Sequence, residues 1–208
     1  MYIERMISDQ LLSLSTQYPV IFLTGPRQSG KTTLARHLFP EKTYLSLENP
    51  DTLEFALSDP RSFLTQSDNG MIIDEAQRAP QLFSYIQGFV DAENKPGAYI
   101  LTGSQNFLLL EKISQSLAGR VAILRLLPFS YAEYQKEFNT EDIENIILKG
   151  MYPPIHDRGL NTSVWFDQYV STYIERDVRS IKNIENLNTF QRFLKLCAGR
   201  SGQILNYS

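Results

Sequence analysis

Cysteine is nearly missing from this sequence: Cys197 is the only one among 208 residues. It has no partner for an internal disulfide, so a disulfide scaffold is excluded and a reducing, cytoplasmic compartment is expected. Cys197 lies in an apolar helical pattern and reads as a small buried hydrophobe. Histidine is scarce too. His37 and His156 have no Cys or His companion at ligand spacing, which argues against a histidine or cysteine metal cage. No apolar run approaches the length of a membrane span, and Met1–Asp9 is too polar for a secretory signal, so no membrane partner is expected. A dominant charge is also lacking, since 20 Lys and Arg stand against 23 Asp and Glu. Residues 151–208 are mildly basic, with seven Lys or Arg against five Asp or Glu. A solvated surface and a nucleic-acid face both explain that excess. There is no repeat or low-complexity tract. What is present is 42% hydrophobic and 12% aromatic residues, enough for a buried core.

The most informative stretch is Gly25-Pro26-Arg27-Gln28-Ser29-Gly30-Lys31-Thr32. It fits G-x-x-x-x-G-K-[ST], a phosphate-binding loop. An apolar, β-branched run, 18–24, precedes it and reads as a buried strand. Residues 33–39 follow with apolar positions at helical spacing, and Pro40 marks the stop. Strand, glycine loop and helix form the context the motif requires. Gly25 and Gly30 let the backbone bend around phosphates. Successive N–H groups of the loop through Thr33, at a helix N-terminus, then face the anion. Lys31 reaches the β- and γ-phosphates, and the Thr32 hydroxyl holds Mg²⁺.

Further strands are expected at 43–47, 71–76, 98–102 and 121–126. Helices are expected at about 5–16, 51–58, 60–66, 81–92 and 106–118. Asn49 and Pro50 suit a helix start. Strands alternating with helices predict an α/β fold whose parallel sheet is covered on both faces. After Leu127-Pro128-Phe129-Ser130 the strand signals end. Helices follow at about 130–137, 141–149, 161–182 and 187–199, and Gly150-Met151-Tyr152-Pro153-Pro154 is the best internal boundary.

Asp74 and Glu75 close an apolar strand, and ligands of parallel sheets bind beyond the strands' carboxyl ends. Asp74 suits Mg²⁺, directly or through water, and Glu75 a general base acting on water. Ser104 and Gln105 end the fourth strand. Ser104 serves either as a γ-phosphate contact or as a helix N-cap. Arg120 is either an arginine finger for a neighbouring subunit or a surface arginine on helix-end carbonyls. Arg78 either responds to nucleotide or is an exposed charge. Glu175 and Arg179 have the spacing of a surface ion pair, and Arg176 is a further candidate nucleotide sensor.

The segments 25–33, Ile72-Ile73-Asp74-Glu75-Ala76-Gln77-Arg78, Leu101-Thr102-Gly103-Ser104-Gln105-Asn106-Phe107, 117–120 and 127–130 occur in order. Together they resemble prokaryotic AAA+ ATPases, related to origin-recognition and archaeal-type ATPases, in which a C-terminal domain of unknown function commonly follows. The resemblance implies a P-loop three-layer αβα sandwich, a five-stranded parallel sheet of order 5-1-4-3-2, and a C-terminal helical lid. It implies an ATPase core over 1–128, a lid over 129–200, and over 201–208 the start of a truncated winged-helix-like domain. Lys31 and Thr32 fall in Walker A and Asp74 and Glu75 in Walker B. Ser104 takes the sensor-1 place usually held by asparagine, and Arg120 that of the finger. The expected activity is Mg²⁺-dependent ATP hydrolysis to ADP, coupled to movement of an effector. A homo-oligomer using Arg120 in trans and DNA contact through the C-terminal part are the expected partners. Two other readings stay open: a nucleotide switch with little hydrolysis, and a phosphotransferase.

Overall fold

Strand β1 (Val20–Gly25) is buried along its whole length. Its successive residues serve opposite sides of the sheet. Val20 and Phe22 pack into one core, Ile21 and Leu23 into another. A continuous apolar run is what a strand covered on both faces requires, because adjacent side chains point to opposite faces. The computed structural model of the chain describes residues 2–104, 113, 115–138, 142–173 and 186–204.

Four more strands flank β1: β2 (Thr43–Ser46), β3 (Met71–Asp74), β4 (Tyr99–Ser104) and β5 (Val121–Arg125). They form one sheet of order β2-β3-β4-β1-β5. Every pairing is parallel. This is the expected order read from the other edge. On one face lie α3 (Pro50–Ser58), α4 (Pro60–Leu64) and α5 (Leu82–Glu93), which contribute Ala56, Phe63, Phe83 and Ile86 to the first core. On the other lie α1 (Ser8–Ser15) and α2 (Lys31–Leu38), contributing Leu11, Leu34 and Ala35. Phe22, Phe63 and Phe83 are among the largest fully buried side chains. Each such burial is worth about 1.5–3 kcal/mol. Helix starts follow their local chemistry. Asn49 accepts from the N–H groups of Asp51 and Thr52, and Asp59 from that of Ser62, each ahead of a proline in the first turn.

Beyond β5 come α6 (Tyr131–Phe138), α7 (Ile143–Lys149) and α8 (Pro153–Arg158). Ser130 and Glu133 form a reciprocal cap on α6. The Ser130 N–H donates to Glu133 Oε2 over 2.7 Å, and the Ser130 hydroxyl accepts from the Glu133 N–H over 3.2 Å. A third core joins Phe129, Tyr134 and Ile146 to Ile3, Phe138 and Met151. His156 belongs to it through its rings' contacts with Tyr134 and Phe138, and its Nε2 lies 2.8 Å from the Gly150 carbonyl. The chain divides into two compact units, Met1–Asp157 and Arg158–Ser208. The second contains α9 (Thr162–Tyr173) and α10 (Leu187–Gly199).

Two expectations change. The break expected at 150–154 is irregular only over 150–152, because Pro153 and Pro154 begin α8, where a first helical turn tolerates them, and the two compact units divide after Asp157. Cys197 is exposed rather than buried. Phe193 and Leu196 on the same helix are exposed with it, so the apolar pattern there does not report burial. The expected helix over 106–118 falls mostly on residues outside those described, as do Glu175, Arg176 and Arg179.

Candidate functional site

The carboxyl ends of the strands bring the sequence motifs together. Gly25 lies in register with Ser104, and Ser46 with Asp74. The loop from Gly25 to Gly30 rises from β1 and turns into α2. Gly25 has φ 149°, and a Cβ there would stand 2.0 Å from the Leu126 carbonyl oxygen, so both conformation and space demand glycine. Gly30 has φ 95° and caps α2 in the left-handed region. Gln28 also has positive φ, 60°. Left-handed residues beside a helix N-terminus turn successive N–H groups toward one concavity, which suits an anion.

Lys31 is buried, and its ammonium donates to the Gly25 and Pro26 carbonyls over 3.1 and 2.8 Å. The amine is thereby held over the loop it follows. Thr32 donates its hydroxyl to both Asp74 oxygens, 3.0 and 3.1 Å away. Tyr44 donates to Asp74 Oδ2 over 2.9 Å, and Thr102 donates to Oδ1. Burial and the adjacent Asp74 charge push the Tyr44 phenol above its ordinary value, keeping it protonated as a donor. The Arg36 guanidinium sits over the Tyr44 ring, 4.7 Å from its centroid.

Thr32 and Asp74 test the expectation of Mg²⁺. They offer a hydroxyl and a carboxylate, both hard oxygen donors, where a phosphate on the loop would meet them. That set fits Mg²⁺, which takes one or two protein ligands and fills its shell with phosphate oxygens and water. Among the described residues no group of three or more His, Cys, Asp or Glu forms an all-protein cage.

Glu75 adopts a left-handed backbone, φ 57° and ψ 43°, at the turn out of β3. For a non-glycine residue that costs about 1–2 kcal/mol. Burial and the neighbouring Asp74 charge raise its carboxyl above the usual range, against the opposing pull of Arg27 and of the Gln77 amide. A raised carboxyl is a stronger base, so the shift suits proton abstraction from water. Gln77 donates to Glu75 Oε2 and, over 3.3 Å, to Ser104 Oγ. Ser104 thus stands at the site, and the helix it was expected to cap falls on residues outside those described.

Arg120 stands apart. Its carbonyl accepts from the N–H of Val20, at the amino end of β1. Gly25 ends that strand, about 17 Å further on at 3.3 Å per residue. The Arg120 guanidinium forks onto both oxygens of Asp91 and donates to the Ala118 carbonyl over 2.9 Å. It does not enter its own chain's site. Arg78 is exposed and donates to the Glu48 carbonyl.

Tyr44 and Arg5 lie outside the motifs, and Gln77 lies within the 72–78 segment but has no assigned role there. Arg5 is the largest omission. It is buried, and its Nη1 donates to the Ser29 carbonyl inside the loop Gly25–Gly30 over 2.9 Å. Its Nη2 donates to the Leu127 and Pro128 carbonyls, and its Nε to Glu133 Oε1 over 3.2 Å. Its guanidinium also stacks on Phe129 at 4.9 Å. One side chain therefore ties the loop to the start of α6. Partners so distant in sequence leave no local signal.

The comparisons with known proteins agree with this architecture. A family model described as an AAA domain matches residues 17–135, and one described as a domain of unknown function matches 140–208. Proteins of Mycobacterium bovis and Mycobacterium tuberculosis, both described as uncharacterized, are each 33% identical over 193 residues. The match covers 90% of this chain and 42% of each of theirs, so the chain spans less than half their length. In fold it is similar to a Walker-type ATPase of Pyrococcus abyssi, with TM-score 0.52 and 17% identity over 96% of this chain and 77% of that one.

Proposed function

Because this chain belongs to the AAA domain family, whose model covers more than half of it, we propose that it binds ATP with Mg²⁺ and hydrolyses it to ADP. The observation that carries the reading is the contact between Thr32 and Asp74 at the mouth of a loop whose backbone is already turned for phosphate. Gly25 to Thr33 would cradle the phosphates, with Lys31 moving from the loop carbonyls to the β- and γ-oxygens. Thr32 and Asp74 would hold Mg²⁺, which supplies charge neutralisation at those oxygens. Glu75 would take a proton from the attacking water, with Ser104 beside it. Arg120, at the opposite end of the sheet, could meet a γ-phosphate only in another molecule.

The test is equilibrium ATP binding together with phosphate release, for wild type, Lys31→Ala and Glu75→Gln. Lys31→Ala should weaken binding roughly tenfold or more, the scale of one charge-assisted hydrogen bond. Glu75→Gln should keep its affinity and lose roughly 10²–10⁴ in turnover. Phosphate release untouched by Glu75→Gln would remove Glu75 as the base. Binding with no release at any protein concentration would favour a nucleotide switch, and labelled phosphate recovered on an acceptor would favour a phosphotransferase. Contact with DNA is supported by exposed Arg192, Lys195 and Arg200 on and just after α10. It should appear as salt-sensitive binding, and its absence at low salt would refute it.

A further inference from the structure

Gln77 sits between two residues of the site, and the fold makes room for it. Its Nε2 donates to Glu75 Oε2 and to Ser104 Oγ. An ionised carboxylate only accepts, so the group facing Glu75 must be the amide NH₂. The amide oxygen is thereby turned the other way. It is buried and finds no hydrogen-bond partner among the described residues. It rests instead against Gly103, where a Cβ would stand 2.5 Å from it. Gly103 is not among the glycines of positive φ, so the missing side chain there provides space rather than conformational freedom. The backbone of Glu75 contributes as well. Its left-handed turn leads into the short 3₁₀ helix Ala76–Arg78, which returns residue 77 toward the strand ends. Leaving a buried amide oxygen unpaired forfeits its hydration with nothing in return. A side chain set at that cost, in a slot cut for it, serves the site rather than stability.

We propose that Gln77 is the positioning residue for Glu75: its amide tethers the carboxylate to Ser104 Oγ at the end of β4. The inference rests on the reading of Glu75 as the general base. Ser104 is in register with Gly25, the first residue of the phosphate loop. A change at the phosphates therefore reaches the base through one hydroxyl and one amide. Hydrolysis depends on Gln77, whereas nucleotide binding does not.

The experiment measures kcat, KM and direct ATP affinity for the full chain and for Gln77→Ala, Gln77→Glu, Gly103→Ala, Glu75→Gln and the double variant Glu75→Gln with Gln77→Ala. Gln77→Glu keeps length and shape but removes the donor, so it stays informative if Gln77→Ala or Gly103→Ala fails to fold. Turnover should fall roughly tenfold or more in both Gln77 variants and in Gly103→Ala, with ATP affinity kept within about twofold. In the Glu75→Gln background, Gln77→Ala should add no further loss, because the two act as a unit. Full turnover in Gln77→Glu, a loss confined to ATP affinity, or an undiminished second loss in the double variant would each overturn the proposal. A wild type that binds ATP and releases no phosphate overturns the reading of Glu75, and this inference with it. Wild-type turnover with indifferent Gln77 variants overturns this inference alone.

Discussion

The Thr32 hydroxyl donates to both carboxylate oxygens of Asp74, although 42 positions separate the two residues. That contact marks where Mg²⁺ should act. Asp74→Asn places a donating NH₂ among the hydroxyls of Thr32, Tyr44 and Thr102. It should abolish the gain in ATP affinity that Mg²⁺ brings while leaving metal-free affinity in place. Tyr44→Phe removes one orienting hydrogen bond and should weaken the Mg²⁺ dependence by roughly tenfold. Titration of MgCl₂ against a fluorescent ATP analogue reads both, and an unchanged midpoint in Asp74→Asn would remove Asp74 from the metal's shell.

The Arg5–Glu133 pair is buried and should be visible in stability. Burial raises the Glu133 carboxyl, but the N–H groups of Ser130 and Met6 and the Arg5 guanidinium outweigh it, and the net shift is downward. A carboxyl lowered on folding stabilises above its unfolded value, and that contribution is lost as pH falls through the folded value. Glu133→Gln should therefore cost about 3 kcal/mol at neutral pH, since it leaves Arg5 buried without its counter-charge. The gap in urea midpoints between the two proteins should be open at neutral pH and close as pH falls through the folded value of Glu133. A difference that persists at acid pH would show that the carboxylate charge is not what matters.

Gly25 and Gly30 both have positive φ but separate two causes of glycine dependence. A Cβ at Gly25 collides with backbone, whereas one at Gly30 would find only Arg5 Nη1, 3.6 Å away. Gly30→Ala should cost the conformational strain alone, about 1–2 kcal/mol. Gly25→Ala should cost clearly more, because β1 and the segment after β5 must separate to admit it. Thermal melts of the two variants give the order, and equal costs would refute the collision.

Arg120 predicts a concentration dependence. Arg120→Ala should leave ATP affinity and stability nearly unchanged, since the fork onto Asp91 is exposed to water. At concentrations where wild-type turnover rises with protein, the variant should lose up to roughly 10³-fold. Wild-type turnover per chain that stays flat with concentration would argue against an arginine supplied in trans.

The sheet was legible because its residues obey a two-sided rule. Runs such as Met71-Ile72-Ile73 have no polar alternation, and only a strand covered on both faces tolerates that. The meeting of the glycine loop with the Asp74–Glu75 pair was legible because each is a contiguous motif at a strand's carboxyl end. Arg120 was ambiguous for a physical reason: the same arginine can sit on carbonyls at a helix end or face another subunit, and only the register of Val20 with Val121 places it at the far edge. Cys197 reads as buried because it lies in an apolar stripe on α10, but such a stripe alone does not ensure burial, and the thiol is exposed. Arg5 and Tyr44 were silent because their partners lie far off in the sequence, and Gln77 because its bridge from Glu75 to Ser104 exists only once β3 and β4 are aligned. A guanidinium near the amino terminus gives no hint that Ser29 and Glu133 will meet around it.

Arg5 and Glu133 lie 128 positions apart, and Arg5 also grips the loop carbonyl of Ser29. A growing chain therefore presents Gly25–Thr32 to its surroundings long before the residue that fixes Arg5 has been made. Until α6 has emerged, the loop's anchor lacks its counter-charge. Ribosome-bound chains arrested before and after Glu133 should differ in their capture of labelled ATP, and equal capture would refute this. On this view nucleotide is a late ligand, taken up by a finished unit and not by a nascent one.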